Sequence, residues 1–343
     1  MSKYLTLISK YRSALMGFAI LWIMFYHYPM HISNTFLFTI KCYGYGGVDI
    51  FLFLSGLGLY FSMSKNNISV RQFYKKRFMR ILPEFWLFLL LFFILSFDYS
   101  LKRFWELLCC ATTLGYWIRV IPHKLWFVSC ILFLYAIYPI YFKLFKRHGT
   151  KATIAVISIG LILILLYALV MVFVFDNKNV GNTLVLTISR IPIFFIGSHV
   201  GHLIKDRCSI QSSNIGKVLL LGLFGIGVFT LLFFSIRFPD YLWTCALLQT
   251  PFILITPGLC VILAIIFNFL PNTVTQFFTK IGIISFELYL AHDYTFSIIM
   301  KFEKICGPLL SVVIIMVLTF VFAILLYKIN KQLLQKGIAR WLR

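Results

Sequence analysis

The chain has 343 residues, of which 61% are hydrophobic and only 12% charged, and its mean hydropathy is +0.93. A soluble domain is typically ~45–50% apolar, so the excess needs lipid, and a length that would allow two soluble domains is better spent on one bundle of membrane spans. The net charge of +22 is scattered in short segments between apolar runs rather than gathered on one soluble face, which argues against nucleic-acid binding and for membrane orientation.

In chain order, Lys3, Lys10 and Arg12 precede the first apolar stretch in the manner of a signal peptide. No small-residue cleavage site follows it and many further spans do, so it reads as a retained first helix. Spans of ~20 mostly apolar residues are expected at roughly 13–31, 46–63, 82–98, 125–145, 152–175, 183–204, 216–235, 245–269, 281–299 and 308–328. Pro83 fits the first turn of the third. The stretch 104–118 is apolar but short and holds Trp105 and Trp117. It lies in the interface, re-enters, or forms a further span that would break the even count. The expected fold class is therefore all-α: a polytopic transmembrane helix bundle of about ten spans, one domain over residues 1–343, both termini on the same side. With ten spans that side collects 22 Lys and Arg against nine on the other. Positive charge concentrates in cytoplasmic loops, so both ends are expected inside, and a multi-pass protein of the cell membrane is implied.

Eight cysteines do not form a disulfide pattern. Cys109, Cys110, Cys130, Cys245 and Cys260 fall in apolar runs and read as small packing residues. No CxxC or Cys/His spacing suits a metal, so no metal is expected.

Ionisable groups inside spans are costly and are functional candidates by default. These are His27 in span 1, Asp49 opening span 2, Arg190, His199 and His202 in span 6, and Glu287 and His292 in span 9. At ~1.5 Å rise per residue, His27 lies roughly 22 Å past Arg12 and His292 roughly 18 Å past Lys280. His27, His292 and Asp49 thus reach similar depth in the outer half. The plainer reading makes His27 an interfacial histidine beside Tyr26 and Tyr28, and His292 a packing one. His199 and His202 approach the inner end, where snorkelling explains them, and no carboxylate is read as accompanying them. Arg71, Lys75, Lys76, Arg77 and Arg80 form a dense basic cluster before span 3. It reads as an orientation or lipid-contact signal, or as a phosphate clamp in which Arg77 and Arg80, at i and i+3, share one helix face.

Five ordered blocks together resemble the membrane-bound acyltransferase 3 family. They are LMGFAILWIMFYH at 15–27, GYGGVDIFLFLSGLGLYFS at 44–62, KKRFMRILP at 75–83, LWFVSCILFLYAIYPIYF at 125–142 and KIGIISFELYLAHDY at 280–294. IPIFFIGSHVGHLI at 191–204 is a weaker sixth. The resemblance implies acyl transfer, commonly of acetyl, from cytoplasmic acyl-CoA to a hydroxyl of a glycan or lipid-linked sugar. It makes His27 the catalytic histidine and Arg77 and Arg80 the donor-handling pair, and sets Asp49 and Ser55 beside the site. Trp126 in the fourth block, and Glu287 and His292 in the fifth, are further candidates. One departure stands out: the family places an arginine eleven residues before the histidine, and this chain has Met16 there. Arg12, one turn earlier on roughly the same face, either replaces it or leaves that contact missing. On this reading His27 is general base or acyl carrier, and Asp49 orients its ring. The competing reading is a polytopic transporter or flippase for a glycan or small solute. No internal repeat supports it, although Pro251 and Pro257 are placed to break span 8. A glycosyltransferase is disfavoured by ten acidic residues in all and no Asp-x-Asp.

Overall fold

The computed structural model describes residues 2–28, 32–65, 68–95, 100–117, 125–173, 183–206, 214–243, 245–299 and 307–341. The expected span ends at 29–31, 96–98 and 174–175, and residue 118, lie outside them. Among the described residues every regular element is helical.

The first helix, α1 (Ser2–Lys10), meets α2 (Arg12–His27) at a bend of 74°. Leu5 and Ile8 of α1 are buried while Thr6 and Lys10 are exposed, an amphipathic pattern suited to the membrane surface. The 16 residues of α2 rise only ~24 Å, short of ~30 Å of hydrocarbon. A helix α3 (Thr35–Cys42), a 3-10 turn at Gly44–Gly46 and α4 (Gly47–Met63) follow without interruption.

Next come α5 (Val70–Leu95), α6 (Leu101–Ala111) and α7 (Leu114–Trp117). Then follow α8 (Trp126–His148), α9 (Thr150–Phe173), α10 (Thr183–Ile188) and α11 (Ile191–Lys205). The chain finishes with α12 (Asn214–Arg237), α13 (Phe252–Phe269), α14 (Asn272–Ile283), α15 (Ser285–Ile299) and α16 (Pro308–Trp341).

Eight helices are long and apolar enough to cross a membrane, or nine if the bent α1–α2 pair counts as one span. The chain is thus a multi-pass membrane protein with fewer unbroken spans than the ten expected. The shortfall falls on 281–299, which is divided at Ile284 into α14 and α15 and carries Glu287 and Asp293 early and late in α15. The third span begins earlier than expected. Val70–Leu95 is one helix with Pro83 in its interior, so Pro83 removes only the bond to the Met79 carbonyl and the basic cluster is the membrane helix's own inner end. Span 8 also shifts: α13 starts at Phe252, behind Pro251, which has no N–H to leave unpaired at a helix start. In 104–118, the 11 residues of α6 rise ~16 Å and cannot cross. Leu101, Phe104, Trp105 and Leu108 form its exposed face, at the i, i+3, i+4, i+7 spacing of a helix lying in the interface.

Close backbone approaches, typical of helices packed without a hydrophobic driving force between them, build the centre. A Cβ on Gly17 would stand 2.0 Å from the Phe278 carbonyl oxygen, and one on Gly282 1.8 Å from that of Ser13, which locks α2 to α14. Gly56 and Gly197 lock α4 to α11 in the same way, each 2.0 Å from a carbonyl oxygen of the other helix. Phe53, Leu54, Tyr138 and Phe194 fill the core between them. Helices α9, α12 and α16 expose Leu161, Leu165, Phe229 and Val317 outward, as lipid-facing walls do. The six described cysteines are free thiols.

Candidate functional site

Seven helices contribute to an elongated cavity of about 210 Å³, five of them with most of its lining. Helix α2 contributes Arg12, Met16 and Ile23, α4 contributes Ser55, Phe51 and Val48, and α5 contributes Arg77, Arg80, Ile81 and Glu84. Helix α8 supplies Phe127, Ile131 and Tyr135, while α15 supplies Ser285, Glu287 and Tyr289. The register along each helix gives the cavity a direction. Arg12 and Ile23 are eleven residues apart, so it follows α2 for roughly 16 Å. Three guanidiniums mark one end; Ile23, Val48, Phe127 and Tyr289 mark the other.

At the basic end, Arg77 and Arg80 enter from α5 at i and i+3 and meet Arg12 from the start of α2. Arg12 lies across Gly58 of α4, where a Cβ would fall 2.4 Å from its Nη2. The Nε atoms of Arg12 and of Arg77 are buried without a hydrogen-bond partner. Three cations around one mouth repel each other in the absence of an anion, so the mouth suits a multiply charged anionic group. Met16 lines the cavity one turn above Arg12; the family arginine's place is thus apolar, and a cation reaches the same space from the preceding turn.

Two histidines lie behind the far end, outside the lining and bonded to the backbone of its wall. The ring centroids of His27 and His292 are 5.0 Å apart at an interplanar angle of 69°. Each ring is held by a backbone carbonyl of the cavity wall: His27 Nδ1 is 2.9 Å from the Ile23 oxygen and His292 Nδ1 is 2.7 Å from the Tyr289 oxygen. A carbonyl only accepts, so both Nδ1 atoms carry the hydrogen. In the neutral ring of His27 this leaves the lone pair on Nε2. His292 is buried whereas His27 is exposed, so His27 faces the outside of the bundle with its ring against His292.

Asp49 is elsewhere. It is fully buried in the first turn of α4, a position that favours an anion, and its Oδ1 lies 3.6 Å from Nε of Arg190. Arg190 occupies the break between α10 and α11, with its guanidinium 5.3 Å from the Trp126 ring centroid and donating to Ser189 Oγ at 2.9 Å. Asp49, Arg190 and Trp126 form one buried group, and the hydrogen-bond acceptor for His27 Nδ1 is Ile23. The expectation that Asp49 orients His27 gives way to one in which Asp49 neutralises Arg190 inside the bilayer.

Of the other candidates, Ser55 and Glu287 both line the cavity. His202 is bonded through Nδ1 to Asp206 Oδ2 at 2.5 Å, and Tyr60 donates to the same oxygen; a carboxylate does accompany these histidines, four residues on. Among the described residues no group of three or more His, Cys, Asp and Glu is arranged for a metal. Glu84, missed from sequence, lines the cavity with Glu287 and accepts from Asn330 Nδ2. Its signal was available: it follows Arg77 by seven residues and Arg80 by four, on the same helix face.

A family model described as an acyltransferase domain matches residues 14–328 of the chain. No curated protein and no solved structure gives a match.

Proposed function

We propose transmembrane acyl transfer for this chain, which belongs to the membrane-bound acyltransferase 3 family. The donor is acyl-CoA, with acetyl the favoured group, approaching from the cytoplasmic face of the cell membrane, and the acceptor is a hydroxyl of a glycan or lipid-linked sugar on the outer face. The observation that carries this reading is the single cavity between three arginines and the carbonyls that hold His27 and His292. At about 210 Å³ it is smaller than the ~300–1,000 Å³ of ordinary ligand pockets. It suits an extended pantetheine arm, with the nucleotide left at the basic mouth. Arg12, Arg77 and Arg80 would hold its phosphates through charge-assisted hydrogen bonds.

The arm would bring the thioester toward Ile23, one turn from His27. The acceptor hydroxyl arrives from the exposed side of His27, whose Nε2 lone pair takes the hydroxyl proton as oxygen attacks the thioester carbon. Positioned base catalysis is worth about 10²–10⁴-fold. His27→Ala should therefore reduce transfer from radiolabelled acyl-CoA by purified protein about a hundredfold or more while insertion and folding persist. Full activity in that variant would remove the proposal. A transporter reading draws on the broken helices at Ser189–Arg190 and at Ile284; net solute movement without acylated product in the same assay would favour it.

A further inference from the structure

The acid side of the reaction has its own candidate. Glu84 on α5 and Glu287 on α15 come from helices far apart in sequence, yet both line the cavity and their carboxyls are close enough to interact. Two neighbouring carboxyls rest with one proton between them, because ionising the second beside the first is costly. Asn330 Nδ2 donates to Glu84, so charge gathers on Glu84 and the proton on Glu287. Glu287 is nearly inaccessible, at 2% exposure. The positive charge of Arg80 acts on both carboxyls, which moderates the cost of the doubly ionised state.

The pair sits where a leaving group would depart. Glu287 is five residues before His292 on α15, roughly 7.5 Å toward the basic end, while His292 is in ring contact with His27. A thioester carbon placed for attack at His27 has its sulfur on the side from which the arm enters, and that is the side of Glu287.

We propose that Glu84 and Glu287 share one proton and deliver it to the departing thiolate, Glu287 as the donor and Glu84 as its positioning partner. This rests on the acyl-CoA reading above. As the acceptor oxygen bonds to the acyl carbon, the C–S bond breaks and its electron pair goes to sulfur. The Glu287 proton passes to that sulfur, giving the free thiol, and the pair is left as two carboxylates beside Arg80. Water at the basic mouth restores the proton. The acceptor's hydroxyl proton leaves separately, on His27. A thiol of ordinary pKa near ~8.5 leaves poorly as a bare anion from a low-dielectric cavity, so an acid here has work to do.

The test compares two donors that differ in one atom: acetyl-CoA and its selenium analogue, whose selenolate is a stable anion at neutral pH and needs no acid. Glu287→Gln should lower turnover with acetyl-CoA about a hundredfold, in line with general acid catalysis, and should stay within a few-fold of the unsubstituted protein with the selenoester. Retained selenoester activity also shows that the variant folds. Glu84→Gln should show the same selectivity for sulfur, with a smaller loss. An equal loss on both donors, or no loss on the thioester, overturns the acid role while leaving the donor intact. No transfer from acetyl-CoA by the unsubstituted protein overturns the donor reading itself and this inference with it.

Discussion

Gly58 determines where the third cation lies. Arg12 can lie across α4 because position 58 has no Cβ; an alanine there would place a methyl carbon 2.4 Å from Nη2. The contact is with the far end of a flexible side chain, so the helix should accept Gly58→Ala with little loss of stability, and the better helix propensity of alanine, worth ~1 kcal/mol, opposes any strain. The guanidinium must move away from the mouth instead. A charge-assisted hydrogen bond is worth about 1.5–3 kcal/mol, and 1.4 kcal/mol is tenfold in affinity. The apparent KM for acyl-CoA should rise about tenfold in Gly58→Ala, and by at least as much in Arg12→Met, with the thermal midpoint nearly unchanged; steady-state kinetics in detergent measures both. The candidate residues stand out in sequence for two reasons: Glu287, His27 and His292 are ionisable groups inside apolar runs, and Arg77 and Arg80 belong to a dense basic cluster beside one. Which of them touch was not legible. Asp49 was set beside His27 by depth and by the family resemblance, and its partner Arg190 belongs to a helix break that no periodicity announces. Glu84 was overlooked because the basic residues around it dominate the local signal.

Helix α2 is held to α14 by two glycines and no polar bond between their close-packed backbones. Cβ atoms at Gly17 and Gly282 would lie 2.0 Å and 1.8 Å from carbonyl oxygens of the facing helix, and neither helix can yield by a side-chain rotation. Gly282→Ala should therefore destabilise the protein by about 1–3 kcal/mol, the usual cost of overpacking, read as a lowered thermal midpoint. It should also reduce activity, because α2 carries Arg12 and His27 and α14 leads into the helix that carries Glu287 and His292. The ion pair between α4 and α10–α11 makes a second case. Asp49→Ala leaves Arg190 charged and buried, with exposure of 1% for each side chain of the pair, and breaking such a pair costs about 3–5 kcal/mol. Asp49→Leu combined with Arg190→Met should regain most of that, which separates a stabilising role for Asp49 from a chemical one. At this scale sequence reading succeeded where a run is long and uniformly apolar, as in α9 and α12. It failed at breaks. Residues 281–299 read as one span because Ile281, Ile283 and Ile284 keep the hydropathy high through the interruption, and Val70–Leu95 read as starting at residue 82 because charge rather than geometry was taken as its boundary.

The whole molecule has a polarity that the cavity shares. The excess of Lys and Arg falls at the termini and in the loops on their side, and the cavity's three arginines open toward that side because α2 and α15 leave it while α4 and α8 run back to it. Positive-inside orientation and the direction of the cavity thus share one axis, since Arg12, Arg77 and Arg80 belong to that charge excess. Under the proposed function the basic mouth would then face the side where acyl-CoA is made, and His27 the side of an exported glycan. Both readings can be tested in intact cells. Lys65→Cys, two residues past the end of α4, should resist a membrane-impermeant maleimide until the cells are opened. Ser100→Cys, which caps the interfacial helix α6, should label from outside. Labelling of both sites from the same side would contradict an α5 that spans. The reverse pattern would put the arginines outside, where no acyl-CoA is available, and the direction of transfer would have to be abandoned. If the orientation holds, Ser55→Phe supplies the complementary test of the path. Ser55 lines the cavity between its two ends at 9% exposure, so an aromatic ring there should fill the route proposed for the pantetheine arm. Transfer should be lost, while a nucleotide lacking the arm still competes for the basic mouth, because the proposed function puts the nucleotide at the mouth and the acyl group beyond Ser55.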